Sequence, residues 1–417
     1  LDNCQLVVMG CCTNILDLYD RLGVLGEIDW HETLWFARGG GAMDRLAIAP
    51  VLPAPLHYAP SFLRMRLFSL AEKLAISRAF LAILRMGPKG RVRWQGRAFG
   101  DFLAETRQPA RVVELFWDPV VVSACNLQSA ACEAAHALKV FDEGMLAHRF
   151  AGAVGVSRAP LARLYDATAE ILARTGGALR LRTSAKALAF DGTRITGVVC
   201  EDGVVPAHAV IAAVPPDRLA RLCSDTLRAA DKRLANLGRF GFSSILGVHL
   251  ALRRRVLEVP NLALAGRATH WLFAHDAPEG ADFVQRIEAV VSAADGWIGL
   301  SEDDIEARVA AAIAWAMQGF TRADIVWSRP VLERRAPFAS RPGIDAIRPR
   351  AASEAGDLGG GVANLFLAGE WTDTGWPSTM EGAARSGYSA AAACVGGSGA
   401  CSELPAGSLV RLARGLA

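Results

Sequence analysis

A chain of 417 residues, 52% apolar and 21% charged, can bury more than one core, since single cores stop growing at about 250–300 residues. Its formal charge of +3 is too small for a nucleic-acid binder, and no arginine-rich block or aromatic-interleaved basic patch occurs. No uncharged stretch is both long and apolar enough for a membrane-spanning helix. The nine cysteines, an odd number scattered from Cys4 to Cys401 without a C-x-x-C pair or a histidine at ligand spacing, read as reduced cytoplasmic thiols with no metal site.

Residues 1–24 predict a strand or loop and then a helix, with Ile15, Leu18, Leu22 and Val24 at near-helical spacing. The glycines at 39–41 predict a hairpin turn. Residues 50–90 have a Pro-rich extended lead and then a helix capped near Ser61, with Leu63, Leu67, Leu70, Leu74, Leu81 and Leu84 on one face. Along it Arg64, Arg66, Lys73, Arg78 and Arg85 outnumber Glu72. The pattern suits a core helix pair, and a basic apolar helix over 61–86 also suits a peripheral membrane contact. In 179–214 the pairs Asp191-Gly192 and Asp202-Gly203 punctuate apolar runs, predicting a small antiparallel meander. Residues 220–330 offer a strand at SSILGVHLAL and a helix near 303–318. Gly359 to Gly361 read as a loop before the last strand, and the Gly/Ser-rich tail after 395 is assigned no role.

The richest stretch is 364–394. Leu365 to Ala368 form a buried-strand run that stops at Gly369-Glu370, and a turn-rich passage with Gly375 and Pro377 follows. A helix then opens, with Ser378 and Glu381 at capping-box spacing. Small residues recur along it at Gly382, Ser386, Ala390 and Cys394, and at Ala383, Gly387 and Ala391, as on a face that meets another backbone. The first N–H groups and the dipole of such a helix favour negative charge, on a phosphate or a reduced flavin ring.

This stretch resembles the C-terminal flavin-contacting segment of the FAD-dependent amine oxidase and carotenoid desaturase superfamily, with G-[DE] at a strand end and T-x-E-G-A-x-x-S-G opening the helix. The resemblance implies that Glu370, where the family more often has Asp, holds the ribityl chain of FAD, and that the helix start around Met380 faces the flavin's pyrimidine edge. It offers Gly369, Glu370, Pro377, Ser378, Thr379, Met380 and Glu381 as cofactor-binding residues, with Ala185 beside the adenine. Asp2, Asn3 and Gln5 lie in a segment that in the superfamily passes the flavin, although Cys4 and Leu6 replace an expected Gly and His. LPAPLH with its Leu/Arg-rich helix, ELFWDPVVVSACN at 114–126 and VGVSRAPLARLY narrow the likeness to squalene-associated FAD-dependent desaturases, the hydroxysqualene dehydroxylases of hopanoid pathways.

The implied fold is an α/β, two-domain, amine oxidase-like one. Residues 1–25, 150–217 and 331–395 would form a Rossmann-type FAD domain, and 26–149 with 218–330 a mixed sheet-and-helix substrate domain. The family's G-x-G-x-x-G is absent from the 417 residues, because Asp44 stands where the run at 39–41 would need its last glycine. The expectation is that a βαβ-leading unit of roughly 30–55 residues precedes Leu1 in the complete protein and that the chain alone purifies nearly colourless. The implied reaction is reductive removal of hydroxysqualene's allylic hydroxyl, which needs an acid to protonate the oxygen. A carotenoid-type desaturase or isomerase is the alternative, and a non-catalytic isoprenoid-binding remnant a third. Asp118, Asn126, His136, Asp142 and Glu143 lie in or near the family-like stretch but fit structural roles, so no catalytic residue is named.

Overall fold

The computed structural model describes residues 2–353 and 361–415. It opens with β1 (Val7–Met9), α1 (Thr13–Arg21) and β2 (Ile28–His31). Then β3 (Thr33–Gly39) and β4 (Ala42–Ala47) form the expected hairpin. Gly40 and Gly41 turn it with φ of 61° and 83°, a left-handed pair that suits the twist of a two-residue hairpin.

The helix expected from Ser61 onward is two helices, α2 (Ala59–Arg64) and α3 (Leu70–Arg91). Ser61 caps neither: its Oγ bonds the backbone of Ala47 on β4. The break arises because the Asp44 carboxylate accepts the N–H groups of Arg66 and Leu67, and the true cap of α3 is a Ser69–Glu72 box. The helix breaks again at Gly87, before Pro88. These interruptions turn the predicted face around. Ala75, Ile76, Ala79 and Ile83 enter the core with Leu84, while Leu63, Leu70, Leu74 and Leu81 are 64%, 71%, 63% and 43% exposed. The helical layer continues with α4 (Phe99–Glu105), α5 (Ala110–Val112), α6 (Asp118–Cys125) and α7 (Ala134–Phe141), packed around Phe99, Phe116, Trp117 and Phe141.

After β5 (Val154–Ser157) and α8 (Ala167–Arg174), the predicted meander appears as β6 (Ala187–Phe190), β7 (Ile195–Cys200) and β8 (Gly203–Pro206). Its first strand starts at Ala187, so Ala185 lies in the exposed lead-in to that strand. The chain continues through β9 (Val210–Ala212), α9 (Pro216–Leu222) and α10 (Asp225–Ala230). It then enters the large sheet with β10 (Ile245–Leu252), β11 (Asn261–Ala263), β12 (Trp271–Asp276) and β13 (Gln285–Ser292). After α11 (Glu302–Ala316) and β14 (Ile325–Glu333), the glycine run at 359–361 falls largely outside the described residues. β15 (Leu365–Leu367) and α12 (Met380–Val395) form the motif stretch, and α13 (Ser408–Ala413) ends the described fold. The tail is thus part of the core: Val410 is fully buried, and Arg414 pairs with Asp142.

The large sheet has the order β14-β10-β13-β12-β11-β3-β4. Leu246, Val248 and Leu250 of β10, with Ile287, Ala289 and Val291 of β13, pack against Ile305, Val309 and Ile313 of α11, as period-2 alternation requires. β1, β5 and β2 form a three-stranded sheet, and β15 lies parallel to β9. Residues of β9, α9 and α10 share a core with Leu365, Leu367 and Trp371, so 218–240 pack beside the motif strand.

Candidate active site

The motif stretch is built as a strand, a tight loop and a helix. Gly369 ends β15 at φ 129°, and a Cβ there would come within 2.4 Å of the Trp371 indole nitrogen, so no larger residue fits. Its N–H donates to Ser386 Oγ of α12 at 2.7 Å, which fastens strand to helix. Glu370 comes next and is half-buried. Burial pushes its carboxyl up, against the pull of its own N–H and of Arg348.

The loop from 370 to 376 is folded around Arg348, whose side chain is wholly buried. Its guanidinium donates to the carbonyls of Thr372 at 2.8 Å, Glu370 at 2.8 Å and Trp376 at 2.7 Å, and to Thr374 Oγ1 at 2.9 Å. Asp345 balances the charge at 3.1 Å and is itself bonded to His136 Nε2 of α7 at 3.0 Å. Burial pushes the Asp345 carboxyl up, but His136 and Arg348 hold it at about 2. A planar fork satisfies several carbonyls of one tight loop at once, which a lysine ammonium would not match. Sequence reasoning missed this arginine because its partners are loop carbonyls, which leave no trace in residue spacing.

The capping box expected at Ser378 and Glu381 does not form. Thr379 is the N-cap, accepting the Gly382 N–H at 3.2 Å, and Ser378 Oγ is buried without a hydrogen-bond partner. The Glu381 carboxylate leaves its own helix and caps α1, accepting the N–H groups of Asn14 at 2.9 Å and Ile15 at 3.0 Å and the Asn14 amide at 2.7 Å. Its carboxylate oxygens are committed inward to α1, so the proposed contact of Glu381 with a cofactor falls to its backbone. Pro377 is buried, and its carbonyl would lie 3.0 Å from a Cβ at Gly382, so the loop rests on the helix start. Of the two small-residue rows, Gly382, Ser386 and Ala390 are buried, whereas Ala383, Gly387 and Ala391 face outward, so the packed face is narrower than expected.

Met380 reaches the N-terminal segment, lining a narrow crevice with Leu6, Val8, Tyr19, Ile28 and Leu161. Gln5 directly precedes Leu6 of that crevice, and its side chain donates to the Leu6 carbonyl. Ala185 is exposed in the lead-in to β6. The polar residues of the 118–143 stretch are structural. Asp118 accepts the Ser129 N–H, Asn126 bridges Ser243, Ser244 and Ala293, Asp142 faces Arg91 and Arg414, and Glu143 pairs with Arg91 and Lys139.

The α/β fold is shared with solved oxidoreductases. It matches an oxidoreductase from Methanosarcina mazei with a TM-score of 0.63 at 14% identity, covering 88% of this chain and 83% of that one. It matches putrescine oxidase equally, with a TM-score of 0.63 at 14% identity over 94% and 87% of the two chains. Residues 11–395 match the flavin containing amine oxidoreductases, and the chain belongs to that family, whose cofactor is FAD. Among curated relatives, the hydroxysqualene dehydroxylases of Sinorhizobium fredii and Rhodopseudomonas palustris are each 29% identical over 66% of this chain, and these matches span 60% of the relatives' length. A zeta-carotene desaturase from Synechocystis is 23% identical, over 93% of this chain and 86% of its own.

Proposed function

We propose that this flavin-dependent oxidoreductase reduces hydroxysqualene to squalene, with the 369–381 loop and helix start gripping the ribityl and ring end of FAD. The observation that carries the site assignment is a donor and acceptor set left over after the loop's own needs are met. Arg348 satisfies the loop carbonyls, which leaves the Glu370 carboxylate to accept ribityl hydroxyls. Ser378 Oγ, buried without a partner, and the first N–H groups of α12 suit the polar edge of an isoalloxazine ring. The identity to two hydroxysqualene dehydroxylases supports the substrate class.

When bound and reduced, FAD supplies the hydride. The chain's own task is to bind an apolar polyprenyl substrate, exclude water and place a proton donor at the hydroxyl oxygen, because hydroxide is a poor leaving group. The exposed leucines 63, 70, 74 and 81, with Lys73 and Arg85 on the same helical hairpin, suit a leaflet of anionic lipid from which such a substrate enters.

Anaerobic incubation discriminates the two enzyme readings. Reduced enzyme should convert hydroxysqualene to squalene. Desaturation of a carotene precursor by oxidised enzyme, with no squalene formed, would favour the desaturase reading, which draws on the longer match to zeta-carotene desaturase.

A further inference from the structure

We propose that Glu288, backed by His249, is the acid that protonates the departing hydroxyl, an assignment that rests on the dehydroxylase reading above. On β10 and β13 the residues between those facing α11 share the opposite side of the sheet. There His249 stands directly across from Glu288, Phe273 of β12 lies on the other flank of Glu288, and His275 lies across from Arg286. Residues 2–6 run over this face: a Cβ on Gly247 would come within 2.6 Å of the Asn3 carbonyl oxygen, and His249 Nε2 is 2.9 Å from the Asp2 carbonyl. The same segment delivers Leu6 to the crevice beside Met380, so the acid lies under the chain that borders the proposed flavin site.

The other buried carboxylates among the described residues are held by backbone N–H groups or arginines, although Asp142 Oδ2, like Glu288 Oε1, makes no hydrogen bond. Asp44 accepts two backbone N–H groups, and Glu133 accepts those of Gly96 and Gly343. Asp142 and Asp231 are paired with arginines, and Glu381 caps α1. Glu288 is only 2% exposed, yet its Oε1 has no hydrogen-bond partner, and its Oε2 lies 3.4 Å from an otherwise unpartnered His249 Nδ1.

The groups facing Glu288 are His249, His275 and Phe273 from neighbouring strands, Arg286 on its own strand, and Asp2, Cys4 and the Gln5 N–H from the covering segment. Burial outweighs the pull of Arg286 and the Gln5 N–H and raises the carboxyl to about 7, while burial lowers both histidines, His275 to about 4. Near neutral pH Glu288 is therefore the member of the cluster that titrates, about half protonated at its raised value. The same face is apolar beyond it, where Trp271 and Phe273 stack with ring centroids 6.1 Å apart and Trp271 meets the helical core, a floor suited to an isoprenoid chain.

In the step, the allylic C–O bond would break, its carbon taking the hydride that bound, reduced FAD would supply in becoming oxidised, and its oxygen taking the Glu288 proton and leaving as water. His249, whose Nδ1 lies 3.4 Å from Glu288 Oε2, would return a proton to the carboxylate.

The test is single turnover of dithionite-reduced, FAD-loaded protein with hydroxysqualene from pH 5.5 to 8.5, for wild type, Glu288→Gln and Glu288→Asp, with FAD affinity and melting measured alongside. Squalene formation by wild type should fall as pH rises through about 7. Glu288→Gln should lose about 100-fold or more in rate with FAD affinity unchanged. Glu288→Asp should keep part of the rate with a shifted limb. A wild-type profile flat across this range, or a folded Glu288→Gln within threefold of wild type, would overturn the assignment and leave the dehydroxylase reading standing. A wild type that forms no squalene would overturn both.

Discussion

The loop at 369–381 and the α2–α3 hairpin both carry the sequence's most distinctive motifs, and they solve opposite problems. The loop is polar backbone in a dry place, and Arg348 consumes its free acceptors. The hairpin is apolar side chain in a wet place, with four leucines more than 40% exposed. The first arrangement spends interactions on holding one geometry, and the second leaves surface available to a partner. Substitutions in the loop should therefore cost stability and flavin affinity together, whereas substitutions on the hairpin should cost neither.

The largest effect is expected from Arg348→Leu, which strands loop carbonyls and the Asp345 charge and should destabilise by about 3–5 kcal/mol. Thermal melting and FAD titration should both report it, and Arg348→Lys should recover only part, since an ammonium lacks the fork. Wild-type behaviour in Arg348→Leu would dissolve the contrast between the regions. Gly369→Ala comes next at about 1–3 kcal/mol, from the positive φ and the Trp371 contact, with FAD affinity falling in parallel.

A smaller effect follows from pH. Asp345 is depressed to about 2 against an unfolded value near 3.9, so its contribution of about 2 kcal/mol is present above pH 4 and lost as pH falls through 2. Acid unfolding of wild type and Asp345→Asn should converge at the low end; curves that stay parallel would remove the ion pair from the account. The smallest change in stability, within about 0.5 kcal/mol per substitution, is expected for serine at Leu63, Leu70, Leu74 and Leu81. The variant carrying all of them should lose sedimentation with vesicles containing anionic lipid, and retained vesicle binding would separate the hairpin from any membrane role.

Local patterns in the sequence were legible where backbone geometry dictates the residue. The hairpin at Gly40-Gly41, the turns at Asp191-Gly192 and Asp202-Gly203, and the strand end at Gly369 are of this kind. Legibility failed where a distant partner decides. Ser378 and Glu381 have capping-box spacing, yet Glu381 is drawn to two N–H groups of α1, 366 and 367 positions away. Ser61 reads as a cap, but β4 takes its hydroxyl and Asp44 ends the helix. Glu288 alternates with apolar neighbours as a half-solvated strand residue would, and only the chain at 2–6 lying over it makes it a buried acid.

The central claim is best tested by stoichiometry. Enzyme with FAD fully reduced, mixed anaerobically with excess hydroxysqualene, should yield one squalene per flavin as the absorbance of oxidised flavin returns. Flavin that stays reduced, with hydroxysqualene recovered unchanged, would contradict the account.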